Sequence, residues 1–205
     1  MENRKEHWEN VFATKAETEV SWFQIYPKTS VEFLDVFKLP LDANIIDVGG
    51  GDSYFVDTLL SKGYRNIYVL DISANAIERA KKRLGSNKAS MVNWIVSDVT
   101  DFEPKVTFDF WHDRAAFHFL TSEDKISKYV SIAENSIKPN GYLILGTFSE
   151  QGPTKCSGLE IKQYNEASMS VRFEAKFKRI KCITEDHATP FNTIQNFVFC
   201  SFKKL

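Results

Sequence analysis

Acidic side chains recur in the first half of the chain, each at the end of a short apolar run. Asp47 follows Ile45 and Ile46, Asp71 closes the run from Asn66 to Leu70, Asp98 follows Val92 to Val96, and Asp113 follows Phe108 to Trp111. Runs of this length, alternating with stretches of helical spacing, read as strands buried on both faces of a parallel sheet. The carboxyl ends of parallel strands lie along one edge, where such sheets take ligands. A carboxylate has two acceptor oxygens, so an acid after the second strand can hold both hydroxyls of a ribose. Asp98 followed by apolar Val99 suits an adenine: the side chain accepts from the exocyclic amine while the backbone N–H donates to the ring. One such acid often only begins a loop or caps a helix. Four at one edge point to a nucleoside-type ligand.

The turn after the first strand narrows the ligand. Residues 44–53 read Asn-Ile-Ile-Asp-Val-Gly-Gly-Gly-Asp-Ser, and Phe55, Val56, Leu59 and Leu60 follow at helical spacing. Glycine adopts dihedrals closed to other residues, and its missing side chain lets a ligand lie against the backbone. A dinucleotide fingerprint wants a third glycine where Tyr54 stands, so that a pyrophosphate reaches the helix N-terminus. Asp52 occupies that end instead, which favours the helix dipole and repels a phosphate. With Asp47 it suits a ligand carrying a cationic group. A plain tight turn in an α/β enzyme is the other reading of the same residues.

These residues need a scaffold, and the chain's 205 residues suffice for one α/β domain with a full core. We expect a helical cover over 1–38 and a Rossmann-like core over 39–205. In the cover, Trp8, Val11 and Phe12 form one face of a helix, and Val31, Leu34 and Phe37 belong to a second. Between them Trp22, Phe23 and Tyr26 crowd a loop-like segment, either as a hydrophobic cover or as a lid over the ligand. From Ile45 strands and helices alternate. Gly63 and Gly85 are expected to end the first two core helices, Ser73 to cap the second, and Pro139-Asn140-Gly141 to turn into a strand over Tyr142–Leu145. Two strand-like runs, Phe177–Glu185 and Thr193–Phe202, form an antiparallel hairpin about Ala188-Thr189-Pro190.

Composition sets bounds. A formal net charge of −1 and a pI of about 6.4 offer no generic basic surface for nucleic acid or anionic membrane. The N-terminal Met-Glu-Asn-Arg-Lys-Glu-His has no apolar signal-peptide core, and no apolar run approaches membrane-spanning length. Cys156, Cys182 and Cys200 show no metal spacing and fit a reducing cytosol, so we expect a cytoplasmic protein without a metal.

The whole pattern resembles the class I S-adenosylmethionine-dependent methyltransferases. Asp47-Val-Gly-Gly-Gly looks like their first motif, Leu70-Asp71-Ile-Ser their second, and Ser97-Asp98-Val their third. Residues 109–117, Asp-Phe-Trp-His-Asp-Arg-Ala-Ala-Phe, are similar to the Trp-Asp-Arg-Gly stretch of thiopurine methyltransferases and to the Asp-Lys-Gly stretch of small protein-lysine methyltransferases. Trp8 and Val-Ser-Trp22-Phe resemble the aromatic cover of those two groups, whose substrate segments in the second half are not clearly matched. The resemblance implies a seven-stranded sheet, mostly parallel with a C-terminal antiparallel hairpin, and helices on both faces. It implies S-adenosyl-L-methionine as cofactor and S-adenosyl-L-homocysteine as product. Gly49 and Gly51 would admit the methionine part, with Asp47 near its ammonium. Asp71 would hold the ribose, Ile72 pack on the adenine, and Asp98 and Val99 read its edge. His112 would line the methionine side through its backbone.

Beside the methyl group the candidates are Asp113, Arg114, His118 and the loop Thr147–Leu159, which holds Phe148. Asp113 orients or deprotonates a nucleophile, or else caps a helix or pairs with Arg114. His118 is a core histidine or an acid–base group. Cys156 lines the substrate site or stands in an exposed loop, and nothing in the sequence decides the role of His187. No basic stretch with interleaved aromatics marks a nucleic-acid substrate. We therefore expect a methyltransferase acting on a small molecule, with a protein lysine as the alternative acceptor. A non-catalytic adenosine-ligand binding module is the reading from another class.

Overall fold

A computed structural model describes residues 4–205, so the first three residues of the expected cover lie outside it. Two helices, α1 (Arg4–Thr14) and α2 (Lys28–Val36), precede the sheet, with a short 3-10 turn at Glu17–Glu19 between them. The core then alternates: β1 (Asn44–Val48), α3 (Phe55–Ser61), β2 (Asn66–Asp71), α4 (Ala74–Ala89), β3 (Val92–Val96), β4 (Phe108–Arg114), α5 (Glu123–Ser136) and β5 (Ile137–Phe148). A small ribbon, β6 (Lys155–Cys156) and β7 (Leu159–Glu160), and α6 (Glu166–Phe173) lead to β8 (Phe177–Ala188) and β9 (Ile194–Lys204). The main sheet has seven strands in the order β3-β2-β1-β4-β5-β9-β8. β9 runs antiparallel to β5 and to β8, while the pairs among β1 to β5 are parallel.

Side chains alternate across the sheet and feed two cores. On one face Ile46, Val48, Trp111 and Leu143 pack with Tyr129 and Ala133 of α5 and Met169 and Phe173 of α6. On the other, Ile45, Ile67, Val69 and Phe110 pack with Val31 and Leu34 of α2 and Phe55 and Leu59 of α3. Helices thus lie on both faces, as expected. The order of strands reverses beside β1, where β2 leaves on one side and β4 on the other. That switch point opens the crevice at the carboxyl edge where the acids gather.

Three expectations about elements need correction. Gly85 does leave the helix, at φ +73°, but a further turn carries α4 on to Ala89. Strand pairing of β5 starts before the Pro139-Asn140-Gly141 turn, because Ile137 pairs with Phe108 across an irregularity and Asn140 takes a positive φ of +66° inside the strand. The loop after Thr147 carries the β6–β7 ribbon. Cys182 and Cys200 face each other across β8 and β9 with Cα atoms 4.1 Å apart and form a disulfide. The cysteine content therefore does not carry the reading of a reducing cytosol.

Candidate functional site

The glycine turn is built around its own acids. Gly49 takes φ +68°, and a Cβ there would lie 2.6 Å from that of Ala116. A Cβ on Gly50 would run into the Asp47 carboxylate, and one on Gly51 would sit 2.5 Å from Ala76 Cβ and 2.6 Å from Asp71 Oδ2. Gly50 and Gly51 are thus required first for two carboxylates to lie against the turn, before any ligand arrives. Asp71 Oδ2 accepts from Gly51 N at 2.9 Å and Oδ1 from Ser73 N at 2.8 Å, tying the end of β2 to the turn. Burial pushes the Asp71 carboxyl up to about 7, and the charges of Asp52 and Asp47 add to the rise. Asp52 has a protein partner, Arg79 at 3.3 Å, so its charge is balanced from α4.

Asp47 is placed differently. In the β1–β4 register it stands opposite His112, both on the face covered by α2. His112 Nδ1 donates to Asp47 Oδ1 at 2.6 Å, and His112 Nε2 meets Ser30 Oγ of α2 at 2.8 Å. All three residues are buried, and Asp47 Oδ2 has no hydrogen-bond partner. An unpaired buried carboxylate oxygen costs about 1–3 kcal/mol or more, which a cationic ligand group would offset. His112 was expected to contribute only its backbone; the structure gives its imidazole the task of fixing Asp47. Ser30 carried no sequence signal, since a serine inside an amphipathic helix is ordinary.

Two adjoining cavities open at this edge. Trp8, Trp22, Gly49, Asp71, Ile72, Asp98 and Val99 line the first, together with Phe12, Phe119, Arg114 and Cys156. Asp47, Gly49, Trp22 and His112 line the second, with Ser30, Gly50, Tyr54, Phe12 and Arg114. Gly51 lines neither. The first cavity has an aromatic roof: Trp8 lies edge-on to Trp22 at 5.6 Å and to Phe119 at 5.0 Å between ring centroids. Phe12 belongs to the same roof because it falls four residues after Trp8 on α1. Asp98 Oδ1 accepts from Thr100 N at 3.0 Å, and Arg4 of α1 reaches Oδ2. Burial would raise the Asp98 carboxyl, but the Thr100 bond and the Arg4 guanidinium hold it below the usual range. Arg4 is a further site residue that its sequence position gave no means of finding.

The candidates for chemistry separate. Asp113 lies outside both cavities. Its Oδ1 accepts from Ala116 N at 2.9 Å and Phe117 N at 3.1 Å, and its Oδ2 from Tyr129 Oη at 2.8 Å, so the carboxylate is spent within the fold. Burial pushes it up to about 6. His118 and Phe148 are buried as well and line neither cavity. Phe148 N donates to His118 Nδ1 at 3.3 Å, and burial drops the imidazole to about 3, so it stays neutral at pH 7. Of the expected substrate group only Arg114 faces the cavities. Cys156 is buried and lines the first cavity, its thiol pushed up to about 11 by burial. His187 anchors the cover: its Nε2 donates to Ser21 O at 2.8 Å and its Nδ1 accepts from Gln24 Nε2 at 3.2 Å.

A nucleoside carrying a cationic amino-acid arm fits this arrangement, the aromatic cavity taking the base and the orphan Asp47 oxygen the ammonium. Comparison with known proteins gives the family. A family profile described as a methyltransferase domain matches residues 41–195, and the chain belongs to that family of S-adenosylmethionine-dependent methyltransferases. The mouse protein EEF1A lysine methyltransferase 2 is 24% identical over 159 residues, 69% of this chain and 64% of that protein, just under two thirds of its length. Nodulation protein S of Rhizobium tropici is 28% identical over 105 residues, 51% of this chain and 43% of that protein. Among solved structures, the N-methyltransferase NodS of Bradyrhizobium japonicum with S-adenosylhomocysteine superposes with a TM-score of 0.74 at 15% identity, covering 99% of both chains. The 1,6-didemethyltoxoflavin N1-methyltransferase of Burkholderia thailandensis gives 0.68 at 14% identity, covering 98% of this chain and 83% of that one. At these identities the superpositions speak to the fold alone. No helix among the described residues is long and apolar enough to cross a membrane.

Proposed function

We propose that the protein transfers the methyl group of S-adenosylmethionine to a small-molecule acceptor. Asp47 would hold the ammonium of the methionine part, Gly49 would give it room, and His112 with Ser30 would keep Asp47 in place. Trp8, Ile72 and Val99 would enclose the adenine, and Asp71 and Asp98 would stand at the ribose and the base edge. When bound, the cofactor would supply an electrophilic methyl on a sulfonium, open to an acceptor's lone pair, with the C–S electron pair left on sulfur. The chain's part is to align and to exclude water, and orientation of this kind is worth about 7–11 kcal/mol of a barrier. Beyond the carboxylates assigned to the cofactor, the residues facing the first cavity, Arg114, Phe119 and Cys156, supply no base, since burial pushes the Cys156 thiol up to about 11. The acceptor atom is then a neutral amine or an already deprotonated heteroatom, and any proton it releases leaves to solvent.

The observation that carries the small-molecule reading is the aromatic roof of Trp8, Trp22 and Phe119 over a cavity that Arg114 also lines. A lysine acceptor would fit a flat acidic rim better. The lysine reading draws its support from the mouse relative's name. The test is transfer of labelled methyl from S-adenosylmethionine into a lysate separated into protein and small-molecule fractions. Label in the small-molecule fraction is expected; label confined to protein would replace this reading with lysine methylation. Calorimetry with S-adenosylmethionine tests the cofactor, and binding of the sulfonium ligand without turnover would leave a binding module.

A further inference from the structure

Arg114 leaves β4 and reaches under the cover, where its charge is only half used. Nη1 donates to Trp22 O at 3.0 Å, and the guanidinium carbon lies 5.0 Å from the centroid of the Phe197 ring. Nε and Nη2, the two donors along one edge of the fork, are buried and have no partner. Among the described residues no ion pair reaches Arg114. Glu185 and Asp47 are near enough to act on its charge, but neither is bonded to it: Glu185 is engaged by Thr29, and Asp47, held at Oδ1 by His112, leaves its Oδ2 without a partner. Two buried guanidinium donors without acceptors are costly, and their parallel geometry matches the two oxygens of a carboxylate. The same residue lines both cavities, so it stands at their junction, beside the place where the adenosine and methionine parts of the cofactor meet.

Resting on the methyltransferase reading, we propose that the acceptor is a small organic acid, its carboxylate docked on the Nε–Nη2 edge of Arg114 with its apolar body against Phe119 and Trp22. A sulfonium next to a guanidinium is a pairing of like charges. An anionic acceptor between them relieves it, whereas a lysine, which must shed its proton to react, brings no compensating negative charge. The carboxylate orients the acceptor and the nucleophilic heteroatom lies elsewhere on the molecule. The cofactor's own carboxylate is the rival for this edge, and the experiment separates the two.

S-adenosylhomocysteine is first titrated into the full chain, and benzoate or its uncharged counterpart benzamide is then titrated into the complex, in wild type, R114Q and R114K. We expect benzoate to bind the wild-type complex at least tenfold tighter than benzamide. In R114Q that preference should vanish while S-adenosylhomocysteine affinity stays within threefold. R114K, which keeps the charge and gives up the fork, should retain a reduced preference. Equal binding of benzoate and benzamide by wild type overturns the proposal without any variant, whatever becomes of the folding of R114Q. A tenfold loss of S-adenosylhomocysteine affinity in folded R114Q or R114K assigns the edge to the cofactor and overturns it too. Failure of wild type to bind S-adenosylhomocysteine at all sinks the methyltransferase reading itself.

Discussion

At the scale of single residues, the four strand-end acids divide by what already holds them. Asp113 is fully bonded within the fold, Asp98 is held by Thr100 and Arg4, Asp71 is bonded at both oxygens with its carboxyl pushed up to about 7, and Asp47 keeps one oxygen unspent. Asp47→Asn replaces that charge by an amide, and a charged hydrogen bond of about 1.5–3 kcal/mol is at stake, roughly 10- to 100-fold in affinity. Titration calorimetry with S-adenosylhomocysteine should show that loss; unchanged affinity would remove Asp47 from the site. Asp113→Asn should behave the opposite way. It should lower the unfolding free energy by about 1–3 kcal/mol in denaturant melts, because Tyr129 and two backbone donors lose their ionised acceptor, and leave cofactor affinity near wild type. Asp71 contributes a pH signature. Its folded pKa of about 7 exceeds its ordinary value of 3.8, so the folded protein binds more protons between those values and stability falls as pH rises through that window. A bound cation favours the ionised form. Cofactor binding near pH 6.5 should therefore release protons and tighten toward pH 8, which calorimetry in buffers of different ionisation enthalpy reads directly; wild-type release that persists in Asp71→Asn would assign it elsewhere.

At the scale of elements, the cover is held to the hairpin rather than resting on the sheet by apolar contact alone. Residues 20–26 carry Trp22 over the first cavity, and His187 of β8 bonds two of them, Ser21 and Gln24. Those bonds use a neutral imidazole, and burial keeps the His187 pKa below the usual histidine value. For a depressed histidine the contribution to stability is complete above the ordinary value of 6.5 and is lost as pH falls toward the folded one. Limited proteolysis should thus cut the cover faster as pH falls below 6.5, and His187→Ala should show that faster cutting already at about pH 7.5. The same variant should bind S-adenosylhomocysteine several-fold more weakly. A cover no more accessible in His187→Ala than in wild type would mean that the aromatic packing suffices. Both readings of the aromatic segment from sequence, cover and lid, draw on the same Trp22, and only the long-range bonds to His187 of β8 show what would let it open.

At the scale of the whole molecule, what was legible in the sequence was local and what was not was long-range. The order of elements and the edge holding Asp47, Asp71 and Asp98 follow from apolar runs, their spacing and the parallel arrangement. Ser30 and Arg4 reach the site from elements far apart in the chain, and no local pattern marks them; Arg114 is among the candidates read from sequence, but the unpartnered edge of its fork is a product of the fold. The cysteine pair shows the same limit most plainly. A turn centred on Thr189 would set Cys182 opposite Asn196, but the strands end at Ala188 and resume at Ile194, and that longer turn moves the register so that Cys182 meets Cys200. The bridge closes a loop of 18 residues in a hairpin that is already paired, so its effect falls mainly on the unfolded chain. Loop-closure entropy for that length is about 3 kcal/mol. Denaturant unfolding of wild type with and without reductant should differ by about that amount, and the Cys182→Ser/Cys200→Ser variant should show the lower stability in both conditions. Alkylation under denaturing conditions should find one free thiol per chain, at Cys156, before reduction and three after; three free thiols beforehand would mean that the two strands hold together without the bond.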